Sequence, residues 1–541
     1  MKRTLCLLLL LTVGISTPSF AQSSVPPYDW VIQSSGNAAA LGTSIATDAA
    51  GNSYIAGNFT GTINFGTFTL TGSGAQADMF LAKLDASGNF IWATSVTGAN
   101  GGPSKIVDIS LDATGNCYVA GIFYGTAVFG NTTLTSLGGD DMFAAKFDSD
   151  GNPIWAKRIG ENGYDYDGVQ IAADASGCYF AGSFSDTLIL DSYEFVTTPG
   201  TGLDLFLTRL DANGDVVWAK HAEGTPGSIF ASGMTIDASG NCYLTGSFFG
   251  TANFDNITLA GFGNNDVFIA KIDTDGNFLW VTEAGGNQLD VVADIAVDAS
   301  GNSYTTGTFM GSPVFGSTTL SAFAGGFIAK TDANGNFLWA KQVSGSVFPQ
   351  GMAMDALGNS LITGSFFGTV TFGNATFSSP DEHDNFFIKL DNNGNFQWAK
   401  QAGDTSMDAG MGISADASGN AYAIGIFGGA PMFDSITLSR PSAGSYVYVT
   451  KIKSGTLDVK DLDEKSALHI FPNPAGRQFT ISGLSGKSTV SIFGFNGQML
   501  LEKSGNREEL TINTEGWASG TYLIRITNER EVINRKLIIS N

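Results

Sequence analysis

The chain has 541 residues, a formal charge of −23, a pI near 4.3, and charged residues at only 14% of its positions, against about 25% in an ordinary soluble domain. Such an acidic balance excludes nucleic acid as a partner, because phosphate recognition needs a basic surface. A surface of Gly, Ser, Thr and Asn explains the low charge density, and its residual acidity serves solubility or the binding of cations.

Residues 1–21 have the three parts of a secretory signal: Lys2 and Arg3, an apolar run from Leu5 to Ile15, and Ser19-Phe20-Ala21 as a small-x-small cleavage site. The mature protein is expected to leave the cytoplasm. No later stretch approaches the roughly 20 apolar residues of a membrane span, so no transmembrane segment is expected. Cys6 lies inside the apolar run and not at the cleavage point, which argues against lipidation. The cysteines that follow, Cys117, Cys178 and Cys242, occupy one place in a repeating pattern where Ser53, Ser303, Ser360 and Ala421 stand elsewhere. That place asks for a small side chain, so free, inert thiols are expected.

From Asp48 the chain repeats itself. A DxxGN element, relaxed at Asp174, starts at Asp48, Asp112, Asp174, Asp237, Asp298, Asp355 and Asp416; a second element, DxxGNxxW, ends in Trp92, Trp155, Trp218, Trp280, Trp339 and Trp398. Aromatic pairs such as Phe59 with Phe65 and Phe123 with Phe129 lie between them, giving seven units of about sixty residues. Runs such as Ser53–Phe59 and Met79–Asp85 combine β-formers with flanking Gly, Asn and Asp, and none has an apolar period of 3.6. Asp accepts backbone N–H groups across a tight turn, and Gly supplies the positive φ. Each unit is therefore predicted to hold four strands, A to D, with tight A–B and C–D hairpins.

Four-stranded units in series bury their faces by stacking radially. The predicted fold is all-β, a seven-bladed β-propeller over residues 22–455. Tyr28-Asp29-Trp30-Val31 matches only the last strand of a unit, and the unit from Asp416 to Lys451 lacks that strand. The N-terminal strand is expected to close the ring, leaving no exposed edge. The tryptophans are read as wedges buried between blades, each removing roughly 150–250 Å² from water.

Asp237–Tyr243 (DASGNCY) with Asp266–Asp273 (DVFIAKID) resembles the bacterial β-propeller repeat family called SBBP, over residues 28–455. The resemblance implies a secreted or surface propeller and brings no shared catalytic residue.

A charged linker, 456–467, precedes a second domain at 468–541, whose alternating strands read as a small Ig-like β-sandwich. This segment resembles the C-terminal sorting domain of type IX secretion substrates of Bacteroidota. The motif residues are Pro472-Asn473-Pro474, Asn496-Gly497, Gly520-Thr521-Tyr522 and Lys536. The resemblance implies export by the type IX translocon and sorting machinery, cleavage in the linker, and a final location outside the cell or on the outer-membrane surface.

Chemistry is sparse. His221, His383 and His469 stand at unrelated places, so neither a Ser-His-Asp site nor a histidine metal centre assembles; no catalytic residue, metal or cofactor is expected. Asp148–Asn152 and Asp273–Asn277 resemble fragments of calcium loops, but they lack the later acidic ligand and read as hairpin turns. Recognition is expected on the face of the variable D–A and B–C connections. Its richest loop holds Tyr164, Asp165, Tyr166 and Asp167, with Asp290, Asp404 and Asp408 in equivalent connections. Counting back four residues from each DxxGN Asp gives Ser44, Asp108, Gln170, Gly233, Asp294, Gly351 and Gly412 as channel-lining residues, Asp108 and Asp294 being the charged ones. Two activities compete: a non-enzymatic binding or adhesion protein for a glycan or a protein, and an extracellular polysaccharide hydrolase using Asp residues of the variable face. A purely structural role is the third reading.

Overall fold

The computed structural model describes residues 25–37, 39–74, 76–99, 104–137, 139–160, 165–198, 202–440, 444–454, 468–484, 487–493, 499–517, 519–528 and 532–539. The expected signal peptide, the linker 456–467, Tyr164 and Gly497 lie outside them, as do the side chains of Asp165, Tyr166, Asp167 and Lys536. The chain divides into two compact units, Met1–Ser454 and Gly455–Asn541. The protein is all-β: among the described residues there is no helix, and so none long and apolar enough to cross a membrane.

Local structure begins with the Asp-Gly turns. In the turn after Leu84, Asp85 Oδ1 accepts the N–H groups of Ser87 and Asn89, each at 2.9 Å, and Oδ2 accepts Asn89 Nδ2 at 2.9 Å. One carboxylate thus ties down a five-residue turn. Gly88 is fixed for two reasons: its φ is +86°, and a Cβ there would stand 3.0 Å from the indole of Trp30.

These turns join seven antiparallel four-strand groups. Group one is Ala39–Thr47, Ser53–Thr60, Asp78–Leu84 and Phe90–Ala99; group two is Lys105–Leu111, Cys117–Phe123, Asp141–Phe147 and Pro153–Ile159. Groups three and four share the long strand Val216–Ile236, which ends one and begins the next. Group five starts at Asp290–Val297 and group six at Ser346–Met354. Group seven, from Asp408–Ala415, takes its fourth strand from the other end of the chain. Tyr28–Gln33 pairs antiparallel with Tyr446–Ile452, Trp30 opposite Lys451.

Neighbouring groups are stapled by tryptophan. Trp30, Trp92, Trp155, Trp218 and Trp280 each donate Nε1–H to the main-chain oxygen of Ala86, Ser149, Ala212, Thr274 and Ala333, in the C–D turn of the following group, at 2.9–3.2 Å. Most of these indoles remain half-buried; only Trp218 and Trp398 are buried outright. The wedge is therefore partly open to water, which corrects the sequence-based picture of full burial. A second staple comes from tyrosine: Tyr54 is fully buried, lies under the Lys83 ammonium at 4.7 Å, and donates its hydroxyl to Gly115 O at 3.0 Å.

The B–C connections are not plain loops. Each carries its own short hairpin, such as Thr62–Phe65 with Phe68–Thr71 and Thr187–Leu190 with Tyr193–Val196. The second aromatic of each pair belongs there: Phe65 packs on Phe80 with ring centroids 4.9 Å apart. Cys117, Cys178 and Cys242 are free and buried, and burial pushes the Cys178 thiol up to about 12.

The second unit pairs a three-stranded sheet (His469–Phe471, Gln478–Ser482, Glu509–Asn513) with a four-stranded one (Lys487–Phe493, Met499–Asn506, Gly520–Thr527, Val532–Ile539). One core holds Phe479 and Ile481 from the first with Ile492, Ile524 and Leu537 from the second.

Candidate functional site

The first strands of all seven groups line one cavity of about 650 Å³. Ser44, Asp108, Gln170, Asp294, Gly351 and Gly412 are on its wall; at the fourth group the wall is Ser232 and Met234, with Gly233 behind. A Cβ on Gly233 would come within 2.9 Å of Asp294, so the main chain there must be bare.

The two acids of the wall are tied into it. Asp108 Oδ1 accepts Ser44 Oγ at 3.1 Å and the Ile109 N–H at 2.8 Å, while Oδ2 accepts the Ile171 N–H at 3.1 Å. Asp294 takes the N–H groups of Ile295 at 2.8 Å and Met352 at 2.7 Å. Each carboxylate thus spans to the first strand of the following group. Both are enclosed by protein yet keep some surface on the cavity. That enclosure pushes Asp108 up to about 6 against its three donors. It pushes Asp294 up to about 7, with the Asp108 charge adding to the effect. Their oxygens are occupied as struts, which leaves little for acid-base work on a substrate.

The remaining acids lie elsewhere. Asp165, Asp290 and Asp408 share one register position, opposite Phe184, Phe309 and Phe427. Asp290 and Asp408 are fully buried and outside the cavity. Asp404 sits beside Asp408, donating its N–H to Asp408 Oδ2 at 3.0 Å. Burial, then the Asp404 charge, pushes Asp408 up to about 8. The sequence reading grouped these acids as loop residues, but the fold buries Asp290 and Asp408 between groups and keeps both apart from Asp108 and Asp294.

The same end of the groups carries a feature with no motif behind it. The His383 ring lies between Phe348 and Phe367, centroids 5.3 and 5.9 Å away, and Ser365 Oγ is 3.3 Å from its Nδ1. Phe348 and Phe367 remain 39% and 41% exposed, too much for a core role. Tyr124 and Phe249 occupy the register position of Phe367 in groups two and four and are exposed as well. The signal was an aromatic following the buried B-strand Phe, hidden because other groups have Thr60, Ser185 or Gly428 there.

In the tail, Asn473 Oδ1 accepts the Ile538 N–H at 2.8 Å, binding the opening Pro-Asn-Pro segment to the last strand. Pro472, Asn473 and Pro474 are exposed. Tyr522 is buried against Trp517, ring centroids 5.2 Å apart, and Gly520 pairs with Ile539. Residues 469–540 match the family described as the secretion system C-terminal sorting domain. The tail addresses this chain, through type IX secretion, to the cell surface or the extracellular space. Secretion machinery is accordingly among its partners.

Over the rest of the chain similarity is low. An uncharacterized WD repeat-containing protein, L264, of Acanthamoeba polyphaga mimivirus is 22% identical, with 68% of this chain and 32% of that protein covered. The chain thus spans about a third of the length of the curated relative it matches. Among solved structures, PorZ, a surface component of the type-IX secretion system of Porphyromonas gingivalis, is 14% identical with a TM-score of 0.31, covering 92% of this chain and 70% of PorZ. An apocarotenoid oxygenase of Synechocystis is 11% identical with a TM-score of 0.34, covering 80% and 95%.

Proposed function

We propose that residues 22–455 are a seven-bladed β-propeller of the SBBP type, closed by the strand around Trp30. In this reading residues 1–21 are a signal peptide, and an Ig-like tail at 468–541 hands the chain to the type IX translocon and is cleaved off in the linker. Once exported, the propeller binds a glycan on the face of the D–A and B–C connections.

One observation carries the binding face. On the opposite face the Asp-Gly turns spend their carboxylates on their own N–H groups, as Asp48, Asp85 and Asp148 do. The variable face instead leaves Tyr124, Phe249, Phe348 and Phe367 39–46% exposed, and exposed aromatic surface flanked by carboxylates such as Asp381 and Glu382 suits the apolar faces and hydroxyl rims of sugars. Binding is favoured over turnover because Asp108 and Asp294 are held as struts. A glycan array probed with the mature chain tests this. Binding that falls at least tenfold in Phe348→Ala/Phe367→Ala supports it; unchanged binding in that variant, or hydrolysis of the bound glycan, overturns it. Export is tested separately by deleting residues 468–541, which should strand the chain in the periplasm.

A further inference from the structure

One register position recurs on the last strand of the four-strand groups. Arg158, His221, Glu283 and Gln401 stand opposite Phe143, Phe206, Phe268 and Phe386 in groups two, three, four and six. Each faces an Asp on the neighbouring strand, at its first residue in groups two, three and four and within Ala375–Leu390 in group six. In three groups it supplies that carboxylate with a donor: Arg158 Nη1 reaches Asp141 at 3.2 Å, His221 Nε2 lies 2.9 Å from Asp204, and Gln401 Nε2 donates to Asp384 at 2.5 Å.

Group four reverses the sign. There the Asp is Asp266 and the facing residue is Glu283. The next strand adds Asp290, whose N–H is anchored on Asn265 O at 2.9 Å. Asp266 and Asp290 are both 0% exposed. Asp266 Oδ2 accepts the Phe262 N–H at 2.7 Å, but Asp266 Oδ1, Glu283 Oε2 and both oxygens of Asp290 are buried without a hydrogen-bond partner among the described residues. Gly285 makes room for this arrangement, since a Cβ there would fall 1.9 Å from Asp266 Oδ1. The main-chain N–H groups of Met310 and Gly286 favour the Asp290 carboxylate, but among the described residues no cationic side chain faces the three acids.

Buried charges require pairing or coordination, and the internal comparison shows what is missing here: the cation that Arg158 supplies in group two. We propose that a calcium ion bridges Asp266 and Asp290 between groups four and five. Among the described residues no three acidic, histidine or cysteine side chains meet around one point. The ion therefore takes two carboxylates directly, Glu283 through water, and main-chain oxygens and water for the rest of its shell. An all-oxygen, irregular shell suits calcium, whereas magnesium demands a near-ideal octahedron. This site is remote from the Asp-Gly turns and independent of what the propeller binds.

The test is thermal unfolding of the full mature chain at pH 7.5 in EDTA and in 5 mM calcium chloride. The wild type should gain about 1–3 °C with calcium, for a site of roughly 0.1–1 mM affinity. Asp290→Asn should lose that gain. Glu283→Arg, which installs the internal cation of group two, should unfold in EDTA no earlier than the calcium-loaded wild type and should ignore calcium. No calcium-dependent gain in the wild type, or a gain that persists in both variants, overturns the proposal. So does a wild type that ignores calcium but is stabilised by acid, since a shared proton would then occupy the gap.

Discussion

The indole Nε1 of Trp92 donates a hydrogen bond to the main-chain oxygen of Ser149, 3.1 Å away in the following group. The equivalent N–H of Trp398 is buried with no acceptor among the described residues. Its group is followed by group seven, whose fourth strand comes from the N-terminus, so no C–D turn exists there to receive it. Trp92→Phe should therefore cost about 1–2 kcal/mol through the lost bond and the smaller ring, although Ser149 O keeps the Lys83 ammonium at 3.1 Å. Trp398→Phe removes a buried, unsatisfied donor, and its packing loss is offset in part by that relief. Urea midpoints should rank Trp92→Phe as the more destabilised; equal losses, or the reverse order, would show that the staple bond contributes nothing.

Gly151 is held by its backbone and by the ring it touches. Its φ is +84°, and a Cβ would stand 2.9 Å from the indole of Trp92. Gly151→Ala should lower stability by about 1–3 kcal/mol through strain and displacement of Trp92. Gly74 is exposed, with nothing within 4 Å of its Cβ position, and Gly74→Ala should be neutral within about 0.5 kcal/mol. Matched chemical denaturation of the two variants checks the pair.

The thiols give a sharper test of core integrity. Cys117, Cys178 and Cys242 are fully buried, and burial raises all three well above the ordinary thiol value. Reactivity needs an accessible thiolate. A thiol reagent at pH 8 should label none of them in the native chain lacking residues 1–21, and all three after denaturation. Rapid labelling of Cys178 in the folded protein would mean that group three opens far more readily than its packing implies.

How much of this was legible in the sequence depends on the range over which each feature is written. The turns were legible because Asp85, Gly88 and Asn89 satisfy one another within five residues. The pairing of Trp30 with the last group was legible because the two ends of the repeat series lack complementary strands. The B–C hairpins were missed: a stretch such as Thr62–Phe65 is too short to show a period, and its strand state is set by packing Phe65 on Phe80. Asp290 was legible as an acid but not as a buried one. Its neighbours Asp266 and Glu283 arrive on other strands, and the absence of a facing cation among the described residues is a property of the assembled groups alone. Asp108 and Asp294 were found by counting from each turn, yet their role as struts depends on the N–H groups of Ile171 and Met352, some sixty residues further on.

Two classes of carboxylate set opposite limits on stability across pH. In the Asp-Gly turns burial alone would raise Asp85, Asp148 and Asp273, but hydrogen bonds from Asn89, Asn152 and Asn277 and from the turn N–H groups outweigh it and hold them below the usual value. A carboxyl lowered by folding stabilises the fold above its unfolded value, about 3.9, and loses that contribution as the pH falls through the folded value. Asp108, Asp294 and Asp408 go the other way, pushed by burial to about 6, 7 and 8. Their contribution is complete below about pH 4 and is lost as the pH rises through those values. In EDTA the urea midpoint should therefore peak near pH 4, fall at lower pH, and decline from about pH 4 until it levels off near pH 8. Asp408→Asn keeps an oxygen for the Asp404 N–H and removes the charge. It should match the wild type near pH 4 and exceed it by about 1–3 kcal/mol at pH 8. A wild-type midpoint that stays level or rises from pH 5 to 8 would show that these buried acids are compensated by a partner outside the chain or are hydrated in solution.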